Sequence, residues 1–407
     1  MHFFRKRLFI GRRSRRFNQP RKEQRYVSFG LRCRYTMTVI VLCIGVALMG
    51  CAAPAAQPPT NPTKAAPAAT PSDAGITITD AANRVIALPQ LPKRIVVIGL
   101  GPYMSAHLLY MFPEGRERLI GMERRAATAS DFLPLIDPNF NAKLFTEASP
   151  GPEAIAALNP DLVIIKARTM DKVGEALSQV GIPFMYVWLE GPEYFFADVR
   201  NVGTILGNPA RAEEIIAYYQ GHLNRVATAT ASLTEKDKPR VLTFQYNQRS
   251  GQTSVEVPAQ RWIQSLQAQM AGGQPVWFEA AAGAEGWTIV NFEQVARWNP
   301  DKIFAIVWRL PDPQGTINSL KADPQWSTLK AVREGQLIAY PQDIYGWETP
   351  DPRWILGLAW LAQRMHPDRF ADFDMTQEVY RYFGEMYGMS REAIERDILP
   401  RVRLNVR

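Results

Sequence analysis

The sequence predicts an α/β protein built of two Rossmann-like lobes, bridged by one long α-helix, with a ligand cleft between the lobes. Three observations predict it. Short apolar runs alternate with helically spaced segments, the pattern of a mostly parallel sheet. One uninterrupted helical pattern, NPARAEEIIAYYQGHLNRVATATASL (Asn208–Leu233), sits near the middle of the chain. A helix–Asn-Pro-Asp–strand unit occurs once on each side of it, EAIAALNPDLVII from Glu153 and EQVARWNPDKIFAI from Glu293, 140 residues apart (293 − 153). A single Asn-Pro-Asp would be a generic crossover, since Asn-Pro stops a helix and Asp favours the turn. Two copies with matched spacing point to a duplicated lobe.

The 407 residues carry a formal net charge of +8, which suggests nucleic acid or an anionic surface as partner. Its distribution removes that suggestion. Residues 1–36 hold 12 Lys/Arg and one acid, Glu23, a net of +11, so the rest is near −3 (8 − 11) and has no nucleic-acid footprint. The apolar run Thr36–Gly50 is short for a membrane span of about 20 residues. A basic leader, a short apolar core and small residues before a cut site describe a secretory signal. Leu48-Met49-Gly50-Cys51 is similar to the bacterial lipoprotein signal, in which Cys51 becomes the lipidated first residue. The other cysteines, Cys33 and Cys43, lie before the cut, so the mature chain has no disulfide and no thiolate metal cage.

Residues 51–75 read as an Ala/Pro-rich tether that stays extended, spanning at most about 70 Å. The first lobe is expected over 76–207. It opens with two alternating runs around Asp80-Ala-Ala-Asn83, where Asn83 suits a left-handed turn, and continues with a buried strand at Lys93–Gly99. A helix follows at Gly101–Phe112, then strands at Leu119–Met122, Lys143–Phe145, Leu162–Ile165 and Pro183–Trp188. In the connecting helix, over 208–237, Pro209 suits the first turn, and Ile215, Ile216, Tyr219, His222 and Leu223 keep helical spacing. The second lobe, 238–407, resumes the alternation with strands at Arg240–Tyr246, Pro275–Glu279 and Leu337–Pro341, and a helix near Arg261–Met270. Helices at Trp354–Met365 and Thr376–Tyr387 close the chain.

Enzyme signatures are missing. There is no HExxH, CxxC, GxSxG or GxxxxGK[ST], and Gly99-Leu-Gly101 lacks the third glycine of a dinucleotide fingerprint. His107, His222 and His366 fall on three separate helical stretches, where a lone histidine is more often packed than a ligand. No catalytic residue, cofactor or protein-bound metal is expected. Ligands of open α/β sheets sit at the carboxyl ends of the strands. Those ends carry Tyr103, Arg124, Arg125, Lys166, Arg168 and Trp188 in the first lobe. In the second they carry Tyr246, Arg249, Trp308, Arg309, Tyr345 and Trp347. Cations there favour an anionic ligand, and Tyr and Trp supply rigid apolar walls.

Taken together and in order, ITITDAANRVIALPQLPKRIVVIG, PEAIAALNPDLVI, FEQVARWNPDKIFAI and WSTLKAVREGQLIAYP resemble the substrate-binding proteins of bacterial ABC importers for iron-siderophores, haem and cobalamin. The resemblance covers about Ile76 to Phe370. It implies two α/β lobes joined by a rigid helix, a monomer held to the membrane by a lipid, and delivery of a metal complex to a dimeric ABC permease. A ferric siderophore or similar iron complex is the leading expectation. Molybdate, tungstate, haem or cobalamin on the same scaffold is the alternative, and a surface enzyme is a weaker one. The resemblance also implies a docking role for Glu153 and Glu293, one per lobe. Read bottom-up, a glutamate in a first helical turn simply complements the helix dipole by a few tenths of a kcal/mol. The ligand region matches no particular siderophore, haem or cobalamin site, and the tail beyond Asp372 departs from the shorter relatives.

Overall fold

A computed structural model describes residues 75–124, 132–166, 170–249, 252–307 and 312–404, excluding the side chains of 170–172, 248–249 and 252–253. The expected signal, tether and Cys51 lie outside these residues. The described chain opens with an antiparallel hairpin, β1 (Ile76–Thr79) and β2 (Val85–Leu88), which turns at Asn83 with a left-handed φ of 59°. Asp80 organises this turn. Its carboxylate accepts the backbone N–H groups of Ala82, Arg84 and Tyr186 and the Arg84 guanidinium, which lies over the Phe184 and Tyr186 rings. The hairpin is thereby pinned to the edge of the first-lobe sheet.

That sheet is wholly parallel. Its strands are β3 (Ile95–Gly99), β4 (Leu119–Glu123), β5 (Leu144–Thr146), β6 (Leu162–Lys166) and β7 (Phe184–Val187), in spatial order β5-β4-β3-β6-β7. β3, β6 and β7 are buried along their whole length, as apolar runs covered on both faces require. Helices α1 (Pro102–Tyr110), α2 (Pro113–Arg118), α3 (Leu133–Ile136), α4 (Pro152–Ala156), α5 (Met170–Gln179) and α6 (Gly191–Leu206) connect them. Gly207, at φ 71°, ends α6, and the Asn208 side chain caps the bridging helix α7 (Pro209–Thr230) by accepting from Arg211 N. At about 1.5 Å per residue α7 is roughly 33 Å long, and Ile215, Ile216, Tyr219 and His222 are buried as their spacing predicts.

The second sheet is mixed, in order β11-β9-β8-β12-β13, with β10 also on β8. It contains β8 (Arg240–Arg249), β9 (Gln252–Val257), β10 (Gln274–Pro275), β11 (Thr288–Val290), β12 (Lys302–Ile306) and β13 (Leu337–Ala339). β8, β12 and β13 are parallel; β9 and β11 add antiparallel strands. Their helices are α8 (Ile263–Met270), α9 (Phe292–Trp298), α10 (Pro313–Ala322), α11 (Lys330–Arg333), α12 (Trp354–Met365) and α13 (Met375–Tyr387). The strand expected over Pro275–Glu279 stops at Pro275. Trp277 turns inward instead, fully buried, and its indole donates to Pro258 O at 3.1 Å, which takes the chain into successive turns.

The duplicated unit is duplicated in detail. Each copy's helix is followed by a left-handed asparagine, Asn159 at φ 49°, two residues past the Ala157 cap, and Asn299 at φ 41°, itself the cap. Each aspartate then clamps the start of its lobe's central strand. Asp161 accepts Lys93 N (2.8 Å) and Arg94 N (3.0 Å) ahead of β3, and Asp301 accepts Arg240 N (2.9 Å) at the start of β8. The adjoining arginines return the contact, Arg94 to the Leu158 and Asn159 carbonyls and Arg240 to Trp298 O.

The C-terminal segment serves both lobes. Arg116 of α2 donates to Tyr387 O, Arg211 of α7 to Glu385 O and Met386 O, and Phe132 packs against Phe383 and Tyr387. Farther on, Trp360 Nε1 donates to Leu404 O and Arg403 N to Gln342 O. Assigned by sequence to the second lobe, the tail is a strap across the pair. The clamps predict that Asp161→Ala and Asp301→Ala each lower unfolding free energy by roughly 1–2 kcal/mol, measured by urea titration. Asn299→Gly should be near neutral while Asn299→Ala costs about 1 kcal/mol, because only glycine takes the left-handed form freely.

Candidate functional site: the cleft at the strand ends

The carboxyl ends of the two sheets come together across the lobe boundary. α1, which follows β3, meets the segment after β13, where the His107 and Tyr345 rings pack edge to face with centroids 5.6 Å apart. A second crossing lies beside β7, where the Glu190 carboxylate accepts Ile263 N from α8 at 2.8 Å. The local backbone is bent to make this possible. Leu189 is left-handed at φ 63°, followed by Gly191 at φ 76°. Asp198 on α6 holds the bend, its Oδ2 accepting both Trp188 N and Leu189 N at 2.8 Å. Burial pushes the Asp198 carboxyl up to about 7, against those two hydrogen bonds and the Lys166 charge.

Lys166 ends β6 inside this wall, with Nζ donating to Trp188 O at 2.7 Å and lying 3.9 Å from Glu190 Oε1. On β4, Glu123 is buried and accepts Gly99 N and Ser149 N, tying together the loops after β3 and β5. Arg124 beside it is exposed, with its guanidinium 4.5 Å over the Phe145 ring. In the second lobe Glu256 accepts from Asn247 Nδ2 at 3.0 Å. The floor between the lobes is charged but dry. Arg353 Nε donates to Asp343 and Nη1 to Asp351, all three with side chains 0 % exposed, and Asp351 Oδ2 meets His107 Nδ1 of the first lobe. Burial lowers the His107 pKa, opposed chiefly by Asp351. Arg353 Nη1 also lies 3.1 Å from His107 Nδ1, so that nitrogen meets both the carboxylate and the guanidinium.

The structure thus gathers Lys166, Arg124 and Trp188 at the first lobe's strand ends, Trp188 half-buried. Tyr103 follows β3 on α1, Tyr246 lies within β8 and Tyr345 follows β13; all three are enclosed, at 3 %, 8 % and 7 % exposure. Trp347 is a correction: it is 0 % exposed, its indole spent on Asp343 at 2.9 Å, so it is core and not cleft wall. Arg125, Arg168, Trp308 and Arg309 lie outside the described residues, as does the Arg249 side chain. Glu153 and Glu293 are exposed on α4 and α9. Among the described residues no three His, Cys, Asp or Glu side chains group to hold a metal, and no helix is long and apolar enough to cross a membrane. Sequence reading missed Glu190, Asp198, Asp343, Asp351 and Arg353. Only Leu189-Glu190-Gly191 and Asp351-Pro352-Arg353 mark them, as turn signals with charges.

Two α/β lobes, a bridging helix and contacts between the lobes at α1 and β7 set the frame for comparison. The model of the periplasmic binding protein family matches residues 137–344, more than half of the chain. This chain belongs to that family. It is similar, at 25 % identity over 260 residues, 58 % of this chain and 70 % of the relative, to the molybdate-binding protein MolA of Haemophilus influenzae. A solved periplasmic solute-binding protein from Veillonella parvula shares the fold with TM-score 0.63 at 23 % identity, over 80 % of this chain and 97 % of the other. Molybdate-bound MolA gives TM-score 0.64 at 18 % identity, over 77 % and 98 %. The TroA-like FepB of Veillonella parvula gives 0.60 at 19 %, over 76 % and 95 %. The chain is an extracytoplasmic substrate-binding protein of an ABC transporter, in a family of binding proteins and not of enzymes, and its partner is a permease.

The periplasmic binding protein should show the cost of Asp198. Its folded pKa lies above the ordinary value of about 4, so its stabilising share is full below pH 4 and fades as pH rises through 7. Asp198→Asn keeps an oxygen for both N–H groups. It should match wild type at pH 3.5 and exceed it increasingly as pH rises towards 8 in urea unfolding.

Proposed function

We propose that the protein is a lipid-anchored receptor that captures a small anionic metal species in this cleft and hands it to an ABC permease. The observation that carries the reading is Lys166: a nearly buried ammonium at the end of a central strand, at the place where open α/β sheets take ligands. A molybdate- or tungstate-like oxyanion suits it best. Such a dianion needs convergent N–H donors and little apolar wall, and the described tyrosines are enclosed instead of presenting flat faces. The relative named for molybdate binding supports the same choice. A ferric siderophore or similar iron complex is the second reading, favoured by the Arg124 guanidinium, which is exposed and stacked on Phe145 as a platform for a bulkier chelate. Arg125, Arg168, Arg249, Trp308 and Arg309 complete the proposed ligand set.

Lipidation at Cys51 and the Ala/Pro tether would hold a monomeric receptor off the membrane. Glu153 and Glu293, one exposed carboxylate on each lobe's repeat, would meet cations of the two permease subunits, a contact that weakens with salt. The test is calorimetric titration of the protein with molybdate, tungstate, haem, cobalamin and ferric siderophores, with tryptophan fluorescence alongside. One ligand should bind and change the emission of Trp188; silence across the panel overturns the reading. Lys166→Met should weaken an oxyanion at least tenfold. The pair Glu153→Ala and Glu293→Ala should leave affinity intact and stop uptake in cells, and a loss of affinity would refute docking.

A further inference from the structure

Asp343, Asp351, Arg353 and His107 are buried, ionisable and remote from solvent, and the proposed function makes no use of them. Asp343 is the hub of the segment that follows β13. Its carboxylate accepts Tyr345 N and Trp347 Nε1, each at 2.9 Å, and Arg353 Nε at 3.0 Å. One carboxylate therefore fixes three points of the run from Asp343 to Arg353. Asp351 does the same at the far end, accepting Arg353 N and Nη1 through Oδ1 while Oδ2 reaches His107 Nδ1. The guanidinium lies 4.3 Å over the ring of Phe132, a first-lobe residue. His107 stands one helical turn after Tyr103 on α1, so both lie on one face of that helix.

We infer that these four residues form a positioning unit. It holds the second-lobe run Asp343–Thr349, with Tyr345, in register with first-lobe helix α1, with Tyr103, and so sets the geometry of two facing cleft walls. All four side chains are fully buried, so the role is one of position. Stability alone accounts poorly for such a cluster, because replacing a buried ion pair with well-packed apolar residues is often neutral or stabilising. Directional bonds supply what apolar packing lacks, a single arrangement of the two walls. His107 Nε2 and Arg353 Nη2 have no hydrogen-bond partner, and both polar contacts of His107, to Asp351 and to Arg353 Nη1, cross between the lobes. The effect on ligand rests on the cleft reading of the proposed function; the effect on wall geometry does not.

The test compares His107→Leu, His107→Asn and wild type, since an asparagine amide can hydrogen-bond in the place of Nδ1 and leucine cannot. Hydrogen–deuterium exchange of the full chain is followed by mass spectrometry, and molybdate affinity by calorimetry. His107→Leu is expected to speed exchange at least tenfold in Asp343–Thr349, on the lobe opposite the substitution, and to weaken molybdate at least tenfold. His107→Asn is expected to restore both. Unchanged exchange in that run, or a rise spread evenly over the chain, overturns the inference. If His107→Leu fails to fold, Asp351→Leu against His107→Asn gives the same reading from the other side of the bond: protected exchange at Asp343–Thr349 in both overturns it. If wild type binds no molybdate, the oxyanion reading fails and exchange alone decides the positioning role.

Discussion

A guanidinium with no exposure to water must be neutralised where it stands, and Arg353 imposes that demand at the junction of the lobes. Moving such a charge out of water costs several kcal/mol, recovered only when geometry and hydrogen bonding are complete. Asp343 and Asp351 meet it, and each is itself dry, so the requirement spreads outward to Tyr345, Trp347 and, across the boundary, His107. The path of the chain from β13 to α12 follows from that single burial. So does the approach of α1, whose histidine closes the set.

Around this junction the structure is built twice from one plan. In each lobe a short helix is followed by a left-handed asparagine and an aspartate seizes the first amides of the central strand. The two clamps differ in support: Asp301 also takes Lys330, whereas Asp161 takes two consecutive amides. Divergence has altered the partners and kept the mechanics. The first sheet stayed wholly parallel and the second acquired β9 and β11 through antiparallel pairings.

Much of this was legible in residues alone. The parallel strands announced themselves as apolar runs, because a strand covered on both faces has no polar side to show. The long helix, the hairpin turn at Asn83 and the repeat were equally plain. Three things were not. Strand β9, QTSVEV, is too polar to read as a strand until β8 lies beside it. Pro275–Glu279 has strand composition, yet Trp277 is drawn inward by an acceptor, Pro258 O, that only the folded chain provides. His107 and Asp351 are 244 residues apart, so no local pattern could join them, and an isolated helix histidine gave no hint of the bond. Trp347 misled for the same reason: an aromatic beside a strand end is wall or core depending on a partner far from view.

The clamps also bear on how the outer repeats connect to the lobe boundary. Each repeat helix lies on the outside of its lobe, and its aspartate is bonded to the backbone at the head of the central strand. In the first lobe that strand runs straight into α1 and His107. The outer helix and the seam are thus joined through β3 by covalent bonds and two short amide contacts. The outer repeat of the first lobe and the seam between the lobes are two ends of one short run of chain.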